Sequence, residues 1–308
     1  MFKAAIIVCG GIGDVLYGLR AATILKNIPH KEESDVGIDI FVNSHSEITD
    51  FINTCTEFKA KQCPERDNLM PEPENPLNLP MEFIDQLYKD YNMVFACFPD
   101  GLGLNPFAFP WYAFCRTYKD FLRTRVKITI PTEVLNAESV SGRAVFIHAN
   151  SVTPQKNWPL SELNKLIGMF NGTNFHPVVA RLSRWKGEPI PFYCAGNFTD
   201  LCDKPIVNVL AHLLFAKHAI CIDSGLAHCA YHLGVPRTVL QQHFQQPFHM
   251  VRWQEDTSDM IPLGATAEQI FNRVMLTIKE PMAYMIPPYL AIPANVNKKQ
   301  LFAQKYYA

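Results

Sequence analysis

Short apolar runs that alternate with helical repeats constrain this chain more than any other feature. In the first half, Ala4–Cys9, Ile38–Val42 and Met93–Phe98 read as strands. Val15, Leu19, Ala22 and Lys26 follow a glycine cluster at spacings of three and four, which is one face of a helix. The pattern resumes with a strand at Arg143–His148. A helix follows in WPLSELNKLIGMF, with Pro159 suited to its first turn and Leu160, Leu163 and Ile167 on one face. Then come a strand at His176–Arg181, a helix at Val207–Ala216 and a strand at His218–Asp223. A helix at Gly225–Leu233, ended by Gly234 and Pro236, leads to a last strand at Thr238–Gln241. Such alternation predicts an α/β fold of parallel sheets covered on both faces, with ligands beyond the carboxyl ends of the strands.

A chain of 308 residues is long enough for two domains of ordinary size. We expect one domain over residues 1–140, a second over 141–280, and a Pro- and aromatic-rich tail over 281–308 that packs back on them. The run PERDNLMPEPENPLNLP, Pro64 to Pro80, reads as a loop because proline removes the donors that a helix or ladder requires. No stretch reaches the roughly 18 uninterrupted apolar residues of a membrane span, and MFKAAIIVCGG is too short for a signal peptide. A cytoplasmic location is the expectation. The nine cysteines never form Cys-x-x-Cys and sit mostly in apolar runs, so they read as reduced thiols. Charge is uneven: residues 1–140 carry 13 basic and 19 acidic side chains, a net of −6, whereas 141–308 carry 15 and 10, a net of +5. The second half suits an anionic ligand better, although solvated faces vary by this much in any case.

Three stretches carry candidate chemistry. In VCGGIGDVLYGLRAA, Val8 to Ala22, a strand runs through glycines into a helix. The dinucleotide fingerprint G-x-G-x-x-G started from Gly11 and Gly13 needs a third glycine where Leu16 stands, so that reading fails. What remains is a tight turn with Asp14 at a helix start, either as a cap or as a general base. In ICIDSGLAHCAYHLGVP, a strand ends at Asp223 and a helix starts at Gly225, so backbone donors around Ser224, Gly225 and Leu226 form an anion site. His228 lies in the first turn, and with His232 it has the i, i+4 spacing of a metal pair. The intervening residues lack a glutamate, which disfavours a metal; His228 can offer a donor or positive charge to a phosphate, and His232 reads as a packed or surface histidine. In HANSVTPQKNWPL, a strand runs into a polar loop with Asn150, Ser151 and Thr153 before Lys156, an ammonium at the same strand edge as Asp223.

Taken together, these stretches resemble glycosyltransferase family 9, the heptosyltransferase-like enzymes. The likeness rests on GGIGDVLYGLRAATILK, HANSVTPQKNWPLSELNKLI and AKHAICIDSGLAHCAYHLGVP, in family order. It implies the GT-B fold, two facing Rossmann-like domains, with the acceptor held by the first and a nucleotide-diphosphate sugar by the second. It implies Asp14 as catalytic base and Lys156 as a ligand of the donor diphosphate, with Asp223 near the donor sugar. Ser224, Gly225 and His228 resemble the family's diphosphate loop, and Leu226, Asn150 and Ser151 complete the expected donor-binding set. The sequence departs from the family in two places. Leu226-Ala227 stands where many members have Pro-Met, and ARLSRWKGEPIPFYCAG, Ala180 to Gly196, lacks the usual glycine-rich turn with an acidic residue. Glu188 is the candidate there for the donor's ribose.

The implied reaction is an inverting transfer that needs no cofactor and no metal. Lysine and helix donors can carry the diphosphate charge, and the Asp-x-Asp signature of metal-dependent transferases is absent from the sequence. An ADP-linked sugar is one candidate donor. For the acceptor, aromatics in DGLGLNPFAFPWYAFCRTYKDF can stack on a sugar or pack under a loop, and Arg116, Lys119 and Arg123 can hold phosphate. A saccharide such as a lipopolysaccharide core fits. A hydroxymethylated DNA base, flipped from its duplex, is the alternative, and the acidic first half argues against it. A catalytically inactive nucleotide-sugar binding module of the same fold is the competing reading from another class. A nicotinamide dehydrogenase is disfavoured by Leu16 and by acidic residues Glu32, Glu33 and Asp35 that precede the second strand.

Overall fold

The computed structural model describes residues 2–27, 36–64, 79–97, 123–137, 142–151, 154–185, 187–241 and 259–279. The chain divides into two compact units, Met1–Val126 and Lys127–Ala308.

The first unit contains β1 (Phe2–Cys9), α1 (Ile12–Asn27), β2 (Val36–Asn43), α2 (Ser46–Cys55), β3 (Lys59–Gln62), α3 (Met81–Asp90) and β4 (Met93–Cys97). Its strands form one sheet in the order β3-β2-β1-β4, with every neighbouring pair parallel. Ala4 to Val8 are buried without a break, as a central parallel strand with both faces covered requires. On α1 the three-and-four spacing becomes a packed face: Val15, Leu16, Leu19 and Ala22 lose all contact with solvent. Phe41 on β2 meets the rings of Phe83 and Tyr91 edge to face, with centroids 5.6 and 5.8 Å away, which fastens α3 and the chain after it to the sheet.

The second unit contains α4 (Thr132–Ala137), β5 (Ala144–His148), α5 (Leu160–Asn171), β6 (His176–Val179), β7 (Arg184–Trp185), β8 (Glu188–Pro189), β9 (Thr199–Asp200), α6 (Ile206–Phe215), β10 (His218–Ile222), α7 (Gly225–Leu233), β11 (Arg237–Gln241), β12 (Met260–Pro262) and α8 (Ala267–Lys279). Six strands make a parallel sheet in the order β12-β11-β10-β5-β6-β9, and β7 and β8 form a separate antiparallel ribbon. One face of the sheet packs Val145, Ile147, Ile220 and Ile222 against Leu163, Ile167 and Phe170 of α5 and Ile270 and Val274 of α8. Burying a side chain the size of Phe170 is worth about 1.5–3 kcal/mol, so this layer anchors the strand ends where the candidate residues sit. Gly234 ends α7 in the left-handed conformation at φ +71°, as its place in the sequence predicts.

The α/β class with two Rossmann-like parallel sheets is the one expected. The units part between Val126 and Lys127, earlier than the expected 140, and α4 packs against α6. Observed bounds differ by a residue or two elsewhere: β6 stops at Val179 and β10 at Ile222. Residues 65–78, in the expected proline-rich loop, and the tail 281–308 lie outside the described residues, as does Phe98 at the end of the expected third strand. Among the described residues, no helix is long and apolar enough to cross a membrane.

Strand order locates the functional edge of each unit. In the first, the chain steps from β1 to β2 to β3 in one direction, then returns to place β4 on the other side of β1. In the second, β5, β6 and β9 run one way, and β10, β11 and β12 run the other from the opposite side of β5. Successive connections therefore leave in opposite directions at the β1/β4 and β5/β10 boundaries. At such a boundary the loops diverge and leave a crevice beyond the carboxyl ends of the strands.

Candidate active site

Asp14 lies just past the carboxyl end of β1, at the third position of α1. Its Oδ2 accepts the Gly11 N–H at 2.9 Å, so the carboxylate reaches back to cap its own helix, which is half of a capping box. A carboxylate there is favoured by the first-turn donors and the positive end of the helix dipole. The turn depends on Gly10, which takes φ +85°. A Cβ at Gly10 would stand 2.4 Å from Asp14 Oδ2, and one at Gly11 a comfortable 3.9 Å. Gly10 is thus the glycine whose backbone the turn requires, and Gly11 has room for a side chain. Ser44 Oγ donates to the Gly10 carbonyl at 2.6 Å, and Gln62 Nε2 donates to the Ser44 carbonyl at 2.6 Å, tying the turn to the ends of β2 and β3. Beside it, burial pushes the Cys9 thiol up to about 11; a hydrogen bond with Asn43 opposes the shift and the Asp14 charge adds to it. Cys9 is therefore a protonated neighbour of the Asp14 carboxylate.

The second unit gathers its candidates at the β5/β10 boundary. His148 ends β5 opposite Cys221 of β10, so the loops after the two strands start side by side. Lys156, on a 3-10 turn at Pro154–Lys156, sends Nζ to Asp223 Oδ2 at 3.1 Å and toward the Asp223 carbonyl at 3.5 Å. The loop that carries Lys156 is held from below. Trp158 is buried, its main-chain N–H donates to the Ala149 carbonyl at 2.9 Å, and its indole N–H donates to the Ala265 carbonyl at 3.1 Å. Asn157 Oδ1 accepts the Ser151 N–H at 2.6 Å, which closes the same loop on itself. Ser224, the residue before α7, has an extended backbone, and its hydroxyl lies 2.9 Å from His148 Nδ1 instead of capping the helix. Burial lowers His148 to about 4, so its ring is neutral.

Lys156, Asp223, Ser224, Gly225 and Leu226 therefore share one strand edge, with Asn150 and Ser151 at the start of the Lys156 loop. His228 sits one turn into α7 and is buried, and His232 is more deeply buried against Tyr231. Among the described residues, no group of three or more His, Cys, Asp or Glu side chains is placed to hold a metal ion. Glu188 is exposed on β8. Arg123 is exposed, while Thr153, Arg116 and Lys119 lie outside the described residues. Two contributors escaped motif reasoning. His148 belongs to a quoted stretch, yet only the pairing of β5 with β10 brings it to Ser224. Arg237 is buried and donates to Asp259 Oδ2 at 2.8 Å and to the Ala227 carbonyl at 2.7 Å, holding the first turn of α7 in place.

Comparison with solved structures places this architecture. The glycosyl transferase family 9 protein from Veillonella parvula superposes with a TM-score of 0.62 at 12% identity, over 91% of this chain and 98% of that one. The ADP-heptose lps heptosyltransferase II of E. coli gives 0.62 at 13% identity, over 90% and 99%. The E. coli heptosyltransferase WaaC, solved with ADP, gives 0.56 at 15% identity, over 90% and 100%. This chain has the fold of those glycosyltransferases. No protein-family model matches it, and no curated protein sequence does. At such identities the likeness concerns the path of the backbone, and the chemistry has to be argued from the side chains.

Proposed function

We propose that this protein is a family 9-type glycosyltransferase that moves a sugar from a nucleotide-diphosphate sugar to an acceptor hydroxyl. The observation that carries the reading is the cluster at the β5/β10 boundary: an ammonium, a serine hydroxyl and the start of α7 gathered at one strand edge. Such a set suits a diphosphate, whose oxygens are met by one point charge and several N–H or O–H donors. Two relatives in fold are WaaC, solved with ADP, and the ADP-heptose lps heptosyltransferase II, so an ADP-linked sugar is the donor we propose, with a saccharide as acceptor.

In this reading Asp14 takes the proton of the acceptor hydroxyl as its oxygen attacks the anomeric carbon. The bond from that carbon to the diphosphate breaks in the same step, and the departing charge falls to Lys156, Ser224 and the first N–H groups of α7. One displacement from the face opposite the leaving group inverts the anomeric centre. Lys156 has three N–H donors, so its two contacts with Asp223 can orient it while one donor is left for phosphate. A protonated lysine and helix donors supply the stabilisation that a metal gives in other transferases, and we propose a metal-independent reaction.

The test is a panel of ADP-, GDP-, UDP- and CDP-sugars offered with saccharide acceptors, reading release of the nucleoside diphosphate. Asp14→Asn removes the base and keeps the shape, so turnover is lost while donor affinity stays within about twofold. Lys156→Ala removes a charge-assisted contact worth about 1.5–3 kcal/mol, so donor affinity falls about 10- to 150-fold. Turnover that survives Asp14→Asn rules out the base assignment. Donor binding without transfer to any acceptor points to the binding module instead.

A further inference from the structure

We infer that His148 is a positioning residue: through Nδ1 it holds the Ser224 hydroxyl so that the hydroxyl's own proton faces an anionic oxygen bound at the start of α7. This rests on the diphosphate reading above and adds a residue to it.

The argument starts from a cap that is not made. A serine in the position before a helix ordinarily accepts an N–H from the second or third helical residue. Ser224 holds the extended backbone of such a cap, at φ −154° and ψ 169°, yet its side chain makes no capping bond. The Ala227 N–H goes to the Ser224 main-chain carbonyl at 3.0 Å instead. The hydroxyl is turned to His148 Nδ1, 2.9 Å away and 76 residues earlier in the chain. A serine hydroxyl has one proton to give and two lone pairs to offer. If it gave that proton to the imidazole, it would meet a phosphate oxygen with lone pairs, and the two would repel. If Nδ1 carries the proton and donates it to Oγ, the serine proton is free for the anion. A neutral ring has one N–H to place on either nitrogen, so an arriving anion selects the tautomer with the proton on Nδ1. Burial keeps the ring neutral, with the pKa at about 4, so the selection operates at ordinary pH. Lys156, held 3.1 Å from Asp223 Oδ2, brings its ammonium to the same strand edge.

Calorimetry with ADP and with inorganic pyrophosphate tests the pair, since pyrophosphate binds without help from a base or ribose. His148→Leu and Ser224→Ala should each weaken both ligands about tenfold, the scale of one hydrogen bond to a charged group. The double variant should bind no more weakly than Ser224→Ala alone, because the ring acts only through the hydroxyl. His148→Asn places an N–H near the position of Nδ1 and should recover most of the affinity, which a ring needed merely for packing would not permit. His148→Leu binding as tightly as wild type, losses that add in the double variant, or no recovery in His148→Asn overturns the inference. Those outcomes leave the donor reading standing if the wild type binds ADP. A wild type that binds neither ligand removes both.

Discussion

Replacing Gly10 by alanine tests whether the turn before α1 exists to place the Asp14 carboxylate. The φ of +85° puts an L-residue in the left-handed region, at a cost of about 1–2 kcal/mol. The new Cβ would stand 2.4 Å from Asp14 Oδ2, closer than real contacts allow, so the carboxylate has to swing away and surrender the Gly11 N–H. That exposed bond adds about 1–2 kcal/mol. Gly10→Ala should therefore cost about 2–4 kcal/mol by urea unfolding of the first unit and should remove most turnover. In an Asp14→Ala background no carboxylate oxygen is left to meet the new methyl. The cost of Gly10→Ala should then shrink toward the backbone part, about 1–2 kcal/mol, with only the Cβ of residue 14 still close, at 3.2 Å. The difference between backgrounds is the coupling between turn and carboxylate. Gly11→Ala is the control: its Cβ has room, and it should cost under about 1 kcal/mol. An equal cost of Gly10→Ala in both backgrounds refutes the claim that the turn is fitted around Asp14.

Three further expectations concern the second unit. Burial lowers His148 to about 4 and His218 to about 3 from an ordinary 6.5, with Arg273 adding to the effect at His218. The unfolded chain therefore binds protons below about pH 6.5 that the folded unit refuses, so stability is full above that pH and falls toward pH 4. The slope reaches about 2.7 kcal/mol per pH unit for two such groups, measurable by hydrogen exchange at β5 and β10 amides; a flat profile from pH 5 to 7 would refute it. Asp259→Asn weakens the bond that holds Arg237, whose side chain is 1% exposed, and should destabilise the unit by about 3 kcal/mol in denaturant titration. Trp158→Phe keeps the packing and loses the indole bond to the Ala265 carbonyl. It should cost about 1–2 kcal/mol and, by loosening the Lys156 loop, weaken ADP severalfold in calorimetry.

The parts of the fold legible in the sequence are those where one segment carries its own evidence. The central strands β1, β5 and β10 are continuous apolar runs because both their faces are covered, and Gly234 marks the end of α7 because only glycine takes that backbone at ease. The edge strands β3, β9 and β12 are two to four residues long and give no periodicity to read. The β7–β8 ribbon occupies the stretch where the family pattern fails, and neither of its two-residue strands stands out from the polar sequence around it. Within GGIG, the sign of one φ angle decides which glycine is required, and three glycines in four positions hide that choice. Lys156, Asp223 and Ser224 were legible as separate loops. The bond from His148 to Ser224 was not, because sheet order rather than chain order makes them neighbours.

Both units put their candidate residues at the same topological place and give it opposite electrical characters. After β1 the loop is short, and its helix begins three residues on, so the carboxylate at the third helical position lies within reach of the first-turn donors. That geometry fixes the carboxylate against the Gly11 N–H, in a place that favours its anionic form. After β5 the loop is longer and passes through a 3-10 turn before its helix, which leaves room for a lysine to lean across to the end of β10. There the serine side chain leaves the helix start uncapped, and the Asp223 carboxylate is engaged by Lys156. An edge built that way gains from an arriving anion, whereas the edge after β1 already holds one. Loop length after the first strand of each sheet thus separates a place suited to taking a proton from a place suited to holding a diphosphate. The net charges of −6 and +5 across the sequence halves run in the same sense.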